Sequence, residues 1–177
     1  MVKISDFDII IEGRKDGEYF FDYDLNDEFF SLFEHSLIEH ANLKVNLLLN
    51  KKNKLFEFLY KIQGEIELVC DRCLDTFMYP INVEQTQLVK IGEEYNDTDE
   101  HMLIIPENQQ SINVAQWLYE DAALTIPIRK IHPLDENGKS TCNPKMLTIL
   151  NKYKVEDKEI EEKEDSPFEQ LKSLLND

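Results

Sequence analysis

Residues 43–70 read LKVNLLLNKKNKLFEFLYKIQGEIELVC, and the alternation within them decides the fold. Leu43, Val45, Leu47 and Leu49 recur at every second position, the period of a strand with one buried face. Asn50-Lys51-Lys52-Asn53 is a polar turn, and the aromatic-rich run Leu55 to Ile62 reads as the returning strand. Gln63-Gly64 predicts a break, after which Ile66, Leu68 and Cys70 alternate again.

Downstream, Ile81 and Val83, then Leu88 to Ile91, add one or two strands. Neighbouring strands in such a run favour an antiparallel meander. Upstream, Phe7 to Gly13 and Tyr19 to Tyr23 read as two strands of a hairpin turning at Lys15-Asp16-Gly17. Asn26 or Asp27 can cap a helix carrying Phe29, Phe30, Phe33 and Leu37 on one stripe. Residues 93–101, with His101, read as a polar loop. Asn113 can cap a second helix with Val114, Trp117, Leu118, Ala122 and Leu124 as its apolar positions, ended by Pro127. Residues 130–144 look irregular, and Pro144 to Tyr153 fits a short helix with Met146, Ile149 and Leu150 on one side. The expectation is an α+β fold: a mostly antiparallel sheet or partly closed barrel with flanking helices and a C-terminal amphipathic helix. Residues 1–154 form the domain and 155–165 an acidic linker. Residues 166–177 form a docking helix with Ser166 as cap, Pro167 at the first helical position, and Phe168, Leu171, Leu174 and Leu175 as its stripe.

Among 177 residues, 42% are apolar and the net charge is −17, so the chain can bury a core and repels nucleic acid as a whole. The window 125–154 is the exception. It holds Arg129, Lys130, Lys139, Lys145, Lys152 and Lys154 against Asp135 and Glu136, a local balance of +4. It reads either as a solvated loop or as a contact for phosphate, with Arg129, Lys130 and Lys139 the RNA-contact candidates. No apolar run approaches the ~18 residues of a membrane span. Met1 to Ile11 carries Lys3, Asp6 and Asp8 and no apolar leader core. The expectation is a cytoplasmic protein without a membrane or small-molecule partner.

The most specific local feature is Cys70-Asp71-Arg72-Cys73. Two cysteines three positions apart can grip one metal ion from a tight turn, and zinc takes four such ligands. Cys142 is the one further cysteine, and His132 is the histidine nearest to it, so Cys70, Cys73, His132 and Cys142 form an available zinc tetrad. Two other readings compete. One is a redox pair, which expects a strand-to-helix context; the other is a pair of reduced thiols closing a turn. A glycine after the second cysteine would suit a metal knuckle better than Leu74. No phosphate loop, dinucleotide fingerprint, zinc-protease or hydrolase motif occurs, so an enzyme is not expected.

Val69-Cys70-Asp71-Arg72-Cys73-Leu74 resembles the V-x-C-x-R-C-L signature of the YceD family, with Cys70 directly after Val69 here. Further blocks agree in order: Glu120-Asp121-Ala122-Ala123-Leu124 leading to Ile126-Pro127, then His132-Pro133, then Cys142-Asn143-Pro144. Last comes Ser166-Pro167-Phe168-Glu169-Gln170-Leu171, similar to an N-P-F-x-x-L ending. Many relatives carry a fuller late cysteine cluster, where this chain has Cys142 alone. The resemblance spans roughly residues 40 to 177. It implies a bacterial, non-enzymatic factor for accumulation of large-subunit (23S) ribosomal RNA, acting in ribosome assembly. With the acidic charge, it implies a basic ribosomal protein and/or the ribosomal RNA as partner. The alternatives are a zinc-stabilised interaction domain unconnected to ribosomes and a CxxC thiol oxidoreductase.

Overall fold

A computed structural model of the chain describes residues 1–93, 95–99 and 102–153. The acidic linker 155–165, the docking helix 166–177, His101 and Lys154 lie outside the described residues. The chain divides into two compact units, Met1–Cys142 and Asn143 onward.

The first unit is built on residues 43–70. Strand β3 (Ala41–Lys52) and strand β4 (Leu55–Val69) form one long antiparallel hairpin. Asn53 takes the positive φ of 54° that its two-residue loop needs, a conformation asparagine tolerates better than most residues. Leu43, Val45, Leu47 and Leu49 face the core from β3, and Phe56, Phe58, Tyr60 and Ile62 face it from β4. Fully burying each phenylalanine contributes about 2–3 kcal/mol.

The expected break at Gln63-Gly64 does not occur. Strand β4 runs through it, and Ile66 and Leu68 stay on the buried face. Gly64 has φ 144°, and a Cβ there would stand 2.1 Å from the carbonyl oxygen of Asn42 on β3. Glycine marks a close approach of two backbones here, not a chain break.

Strand β5 (Thr76–Gly92) pairs with β4 along its whole length, from Val69↔Thr76 to Leu55↔Lys90. It is one strand, and Pro80 is tolerated because β5 is paired on its other side only at Leu88–Gly92. Strand β2 (Gly17–Asn26) lies on the far side of β3. The expected N-terminal hairpin is absent, because β1 (Asp8–Ile10) pairs with β8 (Ser111–Asn113). Part of the expected polar loop is strand β6 (Asn96–Asp99), antiparallel to β7 (Met102–Pro106), and β7 lies parallel to β5. The sheet order β2-β3-β4-β5-β7-β6 is open, with its end strands unpaired to each other among the described residues. This is the mostly antiparallel sheet, not the barrel.

Helix α1 is a single turn, Asp27–Phe30, shorter than expected. The Asn26 side chain accepts from the N–H of Phe29 at 3.2 Å, while Asp27 is drawn off to the Ala41 N–H and the His40 ring. Leu37 is exposed, and Ile38 takes the buried place. Helix α2 (Ala115–Leu124) covers the buried face of the sheet. The N-cap is Val114, which has no side-chain cap bond, and not the expected Asn113; Asn113, one residue earlier, accepts from the N–H of Ala115 at 3.0 Å. Val114, Leu118 and Ala122 are buried and Trp117 packs edge-on against Phe58, whereas Leu124 points into solvent. The Tyr60 hydroxyl donates to Asp121 at 2.5 Å, and burial pushes the Asp121 carboxyl above its usual range.

In the second unit, α3 spans Pro144–Tyr153. Proline fits its first position, and the Asn143 side chain accepts from the N–H of Lys145. No described helix is long and apolar enough to cross a membrane.

Candidate metal centre

The loop joining β4 to β5 is Cys70 to Asp75, so the paired cysteines close the long hairpin. Within it the N–H of Leu74 bonds to the Cys70 carbonyl, and the N–H of Cys70 bonds to the Asp75 carbonyl, both at 2.9 Å. Leu74 sits at φ 62°, the left-handed region that a glycine would enter freely and that costs an L-residue roughly 1–2 kcal/mol. The tight knuckle is therefore made without the glycine that the sequence lacks.

The other two candidate ligands arrive from residues 128–142, which are irregular apart from one bridge, Leu134↔Ser140. Asp71 fixes this segment to the hairpin loop in two ways. Its N–H donates to the Lys130 carbonyl, and its carboxylate accepts from the Lys130 N–H, each at 2.7 Å. Two residues later the ring of His132 tilts over Phe77, with centroids 4.8 Å apart. The Thr141 hydroxyl donates to the Pro133 carbonyl at 2.7 Å and so places Cys142.

As a result, one ligand atom each from Cys70, Cys73, His132 and Cys142 lies within 4.8 Å of all the others. The Cys70 and Cys142 sulfurs are 3.8 Å apart, and Cys73 Sγ is 3.4 Å from His132 Nδ1. A tetrahedral zinc with bonds of about 2.3 Å to sulfur and about 2.0 Å to nitrogen would set those edges at about 3.8 and 3.5 Å. The two distances match, and the sulfur–sulfur one is far longer than the about 2.05 Å of a disulfide bond. Among the described residues the three cysteines form no disulfide, and all are buried.

Electrostatics favour the same use. Burial alone would raise the Cys70 thiol. The N–H of Cys73, the His132 ring, and the N–H groups of Arg72 and His132 outweigh it and hold the thiol at about 6. A thiol that ionises near neutrality is a ready metal ligand. Four protein ligands are the number a structural zinc site uses, where a catalytic site uses three and leaves the fourth position to water or substrate. It is also unlike the redox context, because the pair sits between two antiparallel strands and does not open a helix.

The sequence reading found all four members of the cluster. It missed Asp71, whose bonds to Lys130 span 59 positions and leave no trace in local spacing. Of the basic candidates, Arg129 and Lys139 are exposed, and Lys130 is half-buried where Asp71 holds it. Lys139 closes a turn in which its N–H bonds to the Asp135 side chain at 2.7 Å. Arg72, between the paired cysteines, is a further cation at this end of the molecule that the reading passed over.

A family model described as the large ribosomal RNA subunit accumulation protein YceD matches residues 59–175. No curated protein and no solved structure matches the chain.

Proposed function

Because the chain belongs to the YceD family, we propose that it is a non-enzymatic accessory factor for large-subunit ribosomal RNA accumulation, built around a structural zinc ion. The observation that carries the zinc assignment is the convergence of three thiols and one imidazole within 4.8 Å of one another, with two of the edges at the lengths a tetrahedral zinc sets. Cys70, Cys73, His132 and Cys142 would hold the ion. When bound, it would supply four coordinate bonds between the β4–β5 loop and the segment that carries His132 and Cys142. The residues themselves do the rest. Asp71 clamps the 128–132 segment, and Leu74 accepts a strained backbone so that both loop cysteines point inward.

The support for a binding module over an enzyme is the closed donor set and the absence of any catalytic motif. The charge suggests two kinds of contact. A chain of net charge −17 suits a basic protein of the large subunit better than bare RNA, since phosphate contacts need Lys and Arg. Direct RNA contact is assigned to the least acidic part of the chain, through Arg129, Lys130 and Lys139.

Metal analysis by mass spectrometry of protein purified without chelator tests the zinc assignment. About one zinc per chain is expected, and less than about a tenth would leave only a cluster of reduced thiols. Sucrose-gradient profiles of cells lacking the gene test the ribosomal role. A deficit of large subunits is expected, and an unchanged profile would return the protein to a zinc-stabilised interaction domain unconnected to ribosomes.

A further inference from the structure

Strand β2 ends the sheet, and its outer edge has no strand partner among the described residues. Ten residues long, it carries Glu18, Asp22 and Asp24 and neither lysine nor arginine. Those three acids alternate onto the face of the sheet turned away from the core, together with Phe20. Phe20 is 75% exposed, a large apolar side chain left in solvent on an otherwise charged strand. None of the three acids makes an ion pair among the described residues, although Lys44 stands opposite Asp24 in the register.

From β2 an open groove of about 540 Å³ runs across the outer face of the sheet to β5. Its apolar row runs across the sheet in register as Phe20, Leu48 and Leu59. The adjoining row is Asp22, Asn46, Lys61 and Glu84. Lys61 is taken up by Glu84 at 2.6 Å, and Asp22 accepts from the neutral Asn46 amide at 2.7 Å and pairs with no cation among the described residues, so the row keeps a net negative charge.

We infer that the free edge of β2, with the groove beside it, is a docking site for an extended, basic polypeptide segment that adds as a further strand. A strand with cations at alternate positions would set them against Glu18, Asp22 and Asp24 and lay an apolar side chain over Phe20. Charge decides between occupants. A second copy pairing β2 with β2 would place acids against acids, which destabilises the pair. RNA phosphates would meet the same repulsion. The identification of the segment's source as a basic protein of the large subunit rests on the function proposed above; the site itself rests on the edge, the groove and the charge.

The test uses the full chain and two labelled ten-residue peptides of equal charge, each with lysines at the three positions that face Glu18, Asp22 and Asp24; one has valine opposite Phe20 and at the positions between, and the other has glycine there. Fluorescence anisotropy at low salt should show the valine peptide binding at least tenfold more tightly, with affinity falling as salt rises. The triple variant Glu18→Lys, Asp22→Lys, Asp24→Lys should weaken that binding at least tenfold. Phe20→Ser, a change at an exposed position, should do so independently and leave the melting temperature unchanged. Equal binding of the two peptides, or undiminished binding by both variants, overturns the site. So does a wild-type dimer in sedimentation that Phe20→Ser dissociates, since a second copy is then the occupant. If the site fails while gene loss still depletes large subunits, only the docking inference falls. If peptide binding holds while subunit levels do not change, the ribosomal reading falls and the site stands.

Discussion

Cys70 has two costs attached to it, and they separate the metal account from a bland one. As a buried thiol alone, its replacement by serine should cost only the ordinary ~1 kcal/mol of a single substitution. As a zinc ligand, it should cost several times more and release the metal, because binding energy is folding energy. Chemical denaturation of Cys70→Ser with and without a chelator distinguishes the two. The metal account expects the chelator to destabilise the wild type and leave the variant unaffected. A second residue-scale test concerns His40, whose ring lies 2.9 Å from Asp27. The Asp27 carboxylate raises the His40 pKa above the ordinary value of 6.5, first by hydrogen bonding and then by charge. Since the folded value is the higher one, this contribution is fully present below about 6.5 and is lost as pH rises through the folded value. The bond to His40 and that to the Ala41 N–H lower the Asp27 pKa, so its contribution is lost as pH falls through its folded value. An NMR titration should find His40 ionising above 6.5 and returning there in Asp27→Asn. An unshifted wild-type ring would contradict the pair.

At the scale of elements, Gly64 is the position where the long β3–β4 hairpin has no slack. Gly64→Ala places a Cβ against backbone of a central strand, which neither strand can move away from without breaking register. The expected cost is roughly 3 kcal/mol or more, or about 6–12 °C in melting temperature for a chain of this size. A variant that melts within about 2 °C of the wild type would show that the strands yield. The same glycine explains what could be read from sequence. The parity of Leu43 to Leu49 and Phe56 to Leu68 is a local property, so the strands and their buried faces were legible. Whether Gly64 breaks the strand or lets Asn42 approach depends on a neighbour 22 positions away, and one-dimensional pattern does not carry that. The helix stripe through Phe33 and Leu37 failed for a similar reason. Asp27 bonds forward to Ala41 and His40, and the chain turns after one helical turn. In the Cys3His cluster the candidate ligands were countable because cysteines are scarce. Asp71 was not, because its partner is a backbone group.

For the whole molecule, the question is how a −17 chain can serve an RNA. The account divides the surface: acidic edge for basic protein, and the metal end, with Arg129, Lys130 and Lys139, for phosphate. Replacing those three residues with serine should weaken binding to large-subunit ribosomal RNA and flatten the slope of log affinity against log salt by about one phosphate contact per residue. Unchanged affinity across a salt series would remove RNA contact from this end.

Zinc, fold and ribosomal role meet in the ratio of large to small ribosomal RNA in cells lacking the gene and complemented with either wild type or Cys142→Ser. The account predicts a lowered ratio on deletion, restored by the wild type and not by Cys142→Ser expressed at the same level. A ratio that deletion leaves unchanged, or that Cys142→Ser restores in full, would contradict it.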